Sequence, residues 1–165
     1  MTSPLSPQLA AFGATYTPAK VESGQEYWRL VKADGPDFST GNVVVFVDVL
    51  DANGLRVVGV PVQFSWADGE DIQRTEAKPG DTRQGVSFVL SASGHSYGVR
   101  VADGKPSDSI FGMGLSAFEI HASFLLIFQR QIADGAPPPP EPVLTAREHI
   151  DEAIRHLQIA RELLP

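Results

Sequence analysis

The sequence predicts an all-β protein: an antiparallel β-sandwich, then a proline-rich linker and one C-terminal α-helix. Three observations carry this prediction. Short apolar segments alternate with turn residues about every ten positions, which gives seven or eight strands. No helical periodicity occurs before residue 143. The run ADGAPPPPEP at 133–142 favours an extended polyproline segment that separates the strands from a helical pattern.

The central segment is 42–66, which reads NVVVFVDVLDANGLRVVGVPVQFSW. Residues 43–50 are mostly β-branched or aromatic, as in a buried strand. The turn DANG at 51–54 and the alternation of apolar residues over 58–66 predict a hairpin with a second strand. Because Pro61 has no N–H to donate, we expect the second strand to be an edge strand or to be bulged there.

The remaining strands follow the same alternation, and the composition of the flanking segments sets the domain boundaries. Residues 1–24 are rich in proline, serine, threonine and alanine, and predict an N-terminal arm on the surface. The sandwich is assigned to 25–131, the linker to 132–142 and the amphipathic helix to 143–165. Turn residues predict a loop at 33–41. Further strands are expected at 26–32, 72–77, 85–91, 96–102 and 119–131, and the glycine-interrupted segment 110–115 is either a bulged strand or a packed loop.

The segments VVVFVDVLDANGLRVVGVPVQFSW, TRQGVSFVL (82–90) and SYGVRVADG (96–104) resemble those of bacterial immunoglobulin-like and related accessory β-sandwich modules. Such modules are found in surface proteins, with cell-wall hydrolases and carbohydrate-active enzymes, and in phage structural proteins. The resemblance covers about residues 26–130. It implies an immunoglobulin-like or jelly-roll-like sandwich, and its motifs carry no catalytic residue.

The net charge of −7 and the scattered basic residues argue against binding to nucleic acid, which needs a basic surface. An anionic membrane surface is disfavoured for the same reason. No apolar run is long enough to span a bilayer, and the N-terminus lacks the pattern of a secretory signal. A cytoplasmic or virion-associated location is therefore favoured, although the compartment stays unknown. The absence of cysteine excludes disulfides, thiolate metal sites and cysteine nucleophiles.

The segment 145–164 has the strongest helical pattern in the chain. Thr145 and Glu148 form a capping-box pattern at its start. Such an apolar stripe needs a partner, which predicts self-association or docking on a larger assembly, with packing on its own sandwich as the alternative. The stripe has heptad spacing and consists of Ala146, Ile150, Ala153, Leu157, Ala160 and Leu164.

No set of residues in the sequence points to a catalytic or metal site. The four histidines, His95, His121, His149 and His156, lack zinc-ligand spacing. The acidic turn at 68–71 could hold calcium, but a solvated hairpin tip explains it as well. No nucleophile elbow, paired carboxylates or phosphate loop occur. We therefore predict a protein that is not an enzyme and has no cofactor.

The sequence is compatible with two functions. The first is a non-catalytic structural or assembly protein, with a displayed sandwich and a C-terminal helix that self-associates or docks on a virion, filament or surface layer. The second is a module that binds carbohydrate or cell wall through exposed aromatic rings. Its candidate ligand-binding residues are Tyr27, Trp66 and Tyr97, whereas the alternation puts Trp28 and Trp66 more readily in the core.

Overall fold

The computed structural model describes residues 3–77, 85–90, 96–115 and 121–134. These residues form a short helix and nine strands. Their bounds are α1 Pro7–Phe12, β1 Thr15–Thr17, β2 Glu26–Asp37, β3 Val43–Leu50, β4 Pro61–Trp66, β5 Gly69–Arg74, β6 Val86–Val89, β7 Tyr97–Val101, β8 Ser109–Met113 and β9 Ala122–Ile132. The predicted C-terminal helix at 143–165 lies outside the described residues, as does the linker beyond residue 134.

The strands form a five-stranded sheet of order β1-β8-β7-β4-β5 and a four-stranded sheet of order β2-β9-β3-β6. This confirms the all-β prediction. Every neighbouring pair is antiparallel except β3 and β9, which run parallel. The prediction of a purely antiparallel sandwich is wrong at this pair. Parallel neighbours need a long crossover connection, and here the chain passes through the other sheet between β3 and β9.

One apolar core joins the two sheets. Val45, Val47 and Val49 of β3 are fully buried, and so are Val62 and Phe64 of β4 in the other sheet. All five belong to one cluster of buried side chains. The two sheets therefore form the layers of a sandwich, and each strand that lines the core also has an outer side.

The predicted hairpin at 42–66 is wrong, because β3 and β4 lie in different sheets. The turn itself forms as expected: the Asp51 carboxylate accepts the N–H groups of Asn53 and Leu55. The chain then stays beside β3 only as far as Val57, whose N–H donates to Val49. It reverses at Gly59, where φ is +83°, and crosses to the other sheet.

Pro61 is the first residue of β4, which lies between β7 and β5 and is not an edge strand. The expectation of an edge strand is therefore wrong. The first position of a strand is one where a missing N–H is tolerated. Alternating apolar residues face the core equally well from either sheet, so the pattern could not assign β4 to the correct one.

The segment expected as an N-terminal arm contributes both α1 and β1 to the sandwich. Ser6 caps α1 by accepting the Leu9 N–H at 3.2 Å, and the Leu9 side chain is fully buried. Gly13 ends the helix with φ at +99°. Next, β1 pairs with β8 at the edge of the five-stranded sheet.

Asp108 connects this N-terminal segment to both sheets. Its carboxylate is 1% exposed and accepts three hydrogen bonds. They come from the Tyr16 hydroxyl at 2.8 Å, the Ala19 N–H at 2.8 Å and the Leu30 N–H at 2.9 Å. A buried carboxylate needs such donors because it has left water. The side chain therefore holds β1, β2 and the start of β8 together.

Candidate functional site

The outer surface of the four-stranded sheet is apolar around its two central strands. Because side chains alternate along a strand, the residues between the core-facing ones on β3 and β9 lie on the other side of the sheet. None of the apolar ones belongs to the cluster of buried side chains between the sheets. Val44 is nevertheless buried, at 9% exposure, and Val89 is the most open of them, at 64%. Together with one residue of β6 they form a surface that we name the β3–β9 face: Val44, Phe46, Leu50, Leu125, Ile127 and Val89.

The register makes this face continuous across three strands. Phe46 lies beside Leu125 of β9, and Val44 lies opposite Val89 of β6. A sheet face in contact with water usually carries polar residues, whereas strands covered on both faces read as near-continuous apolar runs. The sequences VVVFVDVL of β3 and FLLIF within β9 are of the second kind. The two strands thus have the composition of strands that are covered on both sides.

The one acidic side chain on β3 is paired within this surface. Asp48 is 5% exposed and lies next to Ile127 in the register of β3 and β9. An Arg56 Nη2 atom lies 2.9 Å from its Oδ1. The centre of the β3–β9 face therefore carries no net charge, although the chain as a whole carries −7.

The outer face of the five-stranded sheet differs. There the Gln63 amide donates to the Glu70 carboxylate and accepts from the Arg100 guanidinium. The exposed apolar residues on that face are isolated from one another: Ile72 is 54% exposed and Phe111 is 46% exposed. This second face has the polar pattern of a hydrated sheet.

A cleft of about 550 Å³ opens at one end of the β3–β9 face. We name it the Phe38 cleft, after a ring that is 41% exposed. Its walls are residues 34–40 and Asn42, and Phe46 and residues 123–125 also line it, with Gln8 from α1. A depression of about 500 Å³ lies beside it and also contacts Phe46. The cleft volume is in the range of ordinary ligand pockets.

The far end of β2 and the loop after it build the cleft. At Gly35, φ is +117°, and a β-carbon there would lie 2.7 Å from the Ser123 carbonyl oxygen. Only glycine therefore lets β2 approach β9 this closely. The loop is held at its other end because the hydroxyls of Thr40 and Ser123 are hydrogen-bonded at 3.1 Å.

The Asp37 carboxylate at the cleft wall is stabilised in its ionised form. Its Oδ1 accepts the Ser39 hydroxyl at 2.7 Å and the Ser39 N–H at 2.9 Å. These bonds favour the charged form and lower the pKa of Asp37 below 3.8. Asp37 is therefore a carboxylate at neutral pH.

We expect the Asp37 carboxyl to titrate with a midpoint below pH 3.8, as followed by NMR of its carboxyl carbon. Because its folded pKa is lowered, the stabilisation is present above pH 3.8 and is lost as the pH falls through the folded pKa. The Ser39→Ala variant removes the hydroxyl donor, so its midpoint should move up towards 3.8. A midpoint that does not respond to this change would contradict the assignment.

The structure separates the three aromatic residues predicted to bind ligand. Tyr97 is 2% exposed, so its ring offers no open face for stacking. Trp66 is half-buried and packs against Phe88 and Tyr97, with ring centroids 5.8 Å and 6.1 Å away. Tyr27 is also half-buried and lies on β2 in the other sheet. The three rings therefore do not form a common platform.

The acidic turn at 68–71 does not converge on one point. Glu70 accepts from Gln63 on the outer side of the five-stranded sheet, whereas Asp71 accepts from Gln73 at 2.9 Å. Within the described part of the chain, no three His, Cys, Asp or Glu side chains are grouped so that they could hold a metal ion. No helix in this part is long and apolar enough to cross a membrane.

Several predicted residues lie outside the described ranges. They are His95, His149, His156 and the helix stripe Ala146, Ile150, Ala153, Leu157, Ala160 and Leu164. His121 is described and lies on the surface just before β9.

The Phe38 cleft was not predicted, because the segment ADGPDFSTG (33–41) has the composition of a turn. An aromatic residue within an Asp-Phe-Ser loop was the signal available there. The apolar runs of β3 and β9, interrupted in β3 by Asp48, were also visible in the sequence, and they indicate cover on both faces.

The fold and the β3–β9 face define the class of this protein as an all-β sandwich with one apolar outer face. Comparison of the chain with family models, curated proteins and solved structures finds no match.

Proposed function

We propose that this is a non-catalytic structural or assembly protein, whose sandwich packs against another protein surface through the β3–β9 face. The observation that carries the proposal is the apolar outer side of β3 and β9. Large contiguous apolar surfaces on soluble proteins usually mark interaction sites. A second copy of the chain is the simplest partner. Asp48 is paired with Arg56, so the centres of two such faces carry no net charge and do not repel each other.

The dimensions of the sheet suit such an interface. The three strands that carry the face span about 14 Å, and the eight residues of β3 span about 26 Å, so the face has a plan area of roughly 370 Å². A standard interface buries about 800 Å² of accessible surface on each partner. The face could therefore supply a little under half of one, and a further contact would have to supply the rest.

The sequence of the C-terminal segment supports the same role. Its heptad stripe, from Ala146 to Leu164, is the pattern of a helix that associates with other helices. We propose that it adds a second contact, either among copies or with a larger particle such as a virion, filament or surface layer. A stripe this short is weak alone, so two contacts would act together.

We also propose that the sandwich is immunoglobulin-like. In that fold, strands B and E are neighbours in one sheet, and G, F, C and C′ follow each other in the second. The pair β3-β6 and the order β8-β7-β4-β5 support this correspondence. Trp66 on β4 and Tyr97 at the start of β7 occupy strands that carry a core tryptophan and a tyrosine in immunoglobulin domains.

A carbohydrate-binding module remains the alternative function, and it has less support. Stacking on a sugar needs an exposed ring face. Of its three candidate residues, Tyr97 is buried and Trp66 packs within an aromatic cluster.

Light scattering of the full chain tests the assembly proposal. We expect a mass above the 17.7 kDa of one chain, rising with protein concentration. The Val89→Lys variant places a charge on the β3–β9 face at a position that is 64% exposed, so the fold should tolerate it and the mass should fall. The Leu157→Lys variant should also lower the mass if the helix stripe contributes.

The matched control is Ile72→Lys. Ile72 is 54% exposed and lies on β5, the edge strand of the other sheet, as Val89 lies on the edge strand β6. This variant should keep the mass of the unchanged protein. A chain that stays at 17.7 kDa at every concentration, or equal effects of Val89→Lys and Ile72→Lys, would refute self-association through this face.

A further inference from the structure

We infer that the Phe38 cleft receives the side chain of an arginine or lysine from a partner protein. This inference deepens the proposed function, since it names the chemistry that the partner presents beside the β3–β9 face. A single side chain that fills a pocket at an interface commonly supplies much of the binding energy.

The charges of the cleft favour a cation. Asp34 and Asp37 line it, and no Lys, Arg or His does so among the described residues. Asp34 is 3.5 Å from Lys32, and both side chains of this pair are about half exposed. Asp37 accepts hydrogen bonds from the hydroxyl and the N–H of Ser39. Both donors are neutral, so they do not cancel the negative charge of the carboxylate. A cationic group that enters the cleft therefore meets an unbalanced carboxylate.

The apolar walls fit the rest of such a side chain. Lysine and arginine have an apolar stem below the charged head. Phe38 and Phe46 bring two aromatic rings to the cleft, and Leu125 adds aliphatic surface. The stem would pack on these groups, and a guanidinium over a ring face gains a cation–π attraction. An uncharged apolar side chain would use the rings but leave Asp37 without a cation.

The charge of the whole chain acts in the same direction. A net charge of −7 attracts a basic partner at long range; between two copies of this chain it is repulsive, and the apolar face and the contact of a cation with Asp37 would have to offset it. The cleft lies at the end of a face whose centre is neutral, so a partner can place an apolar surface on the face and a basic residue beside it. Binding of a cationic group to the Phe38 cleft should therefore weaken as salt is added.

NMR titration of the full isotope-labelled chain tests this inference. The probes are N-acetyl-L-argininamide, the uncharged N-acetyl-L-norleucinamide and a neutral disaccharide. We expect saturable shifts of the amide signals of residues 37–42 with the arginine derivative, and binding about tenfold weaker with the norleucine derivative. The Asp37→Asn variant should weaken arginine binding by a similar factor, and Phe38→Ala should weaken it as well.

Asp103→Asn is the matched control. Asp103 also accepts the N–H of the residue two positions on, from Lys105 at 3.0 Å, but it lies in a turn away from the cleft. This variant should bind the arginine derivative like the unchanged chain. Equal binding of the norleucine derivative, shifts from the disaccharide alone, or no saturable shift with arginine would overturn the inference. The proposed function is judged separately, by the mass of Val89→Lys.

Discussion

Replacing Asp108 by alanine should lower the free energy of unfolding by about 3–5 kcal/mol, because it removes the acceptor of three buried or half-buried hydrogen bonds. The buried N–H of Leu30 would lose its partner without gaining access to water, and the half-buried N–H of Ala19 would lose its partner as well. The Tyr16 hydroxyl would also lose its acceptor. Urea unfolding at neutral pH, followed by tryptophan fluorescence, measures the change.

Three variants separate the contributions to this loss. Tyr16→Phe removes a single donor and should lower the free energy of unfolding by about 1 kcal/mol. Asp108→Asn keeps one acceptor oxygen, so its loss in the free energy of unfolding should lie between those of Tyr16→Phe and Asp108→Ala. Asp103→Ala, in an exposed turn nearby, should change stability by less than about 0.5 kcal/mol. A loss below about 1 kcal/mol for Asp108→Ala would show that the carboxylate does not hold these segments together.

The hydrogen bond between Tyr16 and Asp108 can also be followed through the titration of Tyr16 at alkaline pH. Burial, and then the hydrogen bond to Asp108, raise the pKa of Tyr16 above 10.0. Because the folded pKa is raised, the stabilisation is fully present below pH 10.0 and is lost as the pH rises through the folded pKa. In Asp108→Ala the pKa of Tyr16 should fall, which an ultraviolet titration of tyrosinate would detect.

The sequence was sufficient to predict the strands with the clearest alternation. The expected segment 96–102 corresponds to β7, and 85–91 corresponds to β6. Both alternate because one side of each strand faces the core. The apolar runs of β3 and β9 also predicted strands, since β-branched and aromatic residues suit an extended chain.

Other features depend on contacts between distant parts of the chain. The N-terminal segment was predicted as an arm, yet the contact between Tyr16 and Asp108 spans 92 positions and has no local signal. Similarly, β2 continues through the predicted loop to Asp37, because Gly35 allows a close approach to β9. Turn-forming residues were present there, but the tertiary contact decides the conformation.

The candidate site also combines a feature with a local sequence signal and a feature that depends on distant contacts. The apolar character of the β3–β9 face can be recognised from the sequences of β3 and β9. The Phe38 cleft, in contrast, needs residues 34–42 beside 123–125, and the pairing of β2 with β9, which sets Asp34 beside Leu125 and Asp37 beside Ser123, makes them neighbours. Alternation could suggest which rings are buried, but it could not place Trp66 and Tyr97 in one aromatic cluster.

Replacing Gly35 by alanine should lower the free energy of unfolding by about 3–5 kcal/mol and should also close part of the Phe38 cleft. Gly35 has φ at +117°, which is unfavourable for alanine, and the added methyl group would lie 2.7 Å from the Ser123 carbonyl oxygen and 3.0 Å from a Phe124 ring carbon. The first of these atoms is backbone within β9, so it cannot move without disturbing the ladder between β2 and β9.

Gly24→Ala separates the two causes of this loss. Gly24 also has a positive φ, +79°, but a β-carbon there would meet no atom within 4 Å. This variant should therefore lose only the backbone contribution, about 1–2 kcal/mol. The difference between the two variants in urea unfolding measures the steric overlap at Gly35. If both lose the same stability, β2 is not packed as closely on β9 as the register implies, and the wall of the Phe38 cleft is set by residues 36–42 alone.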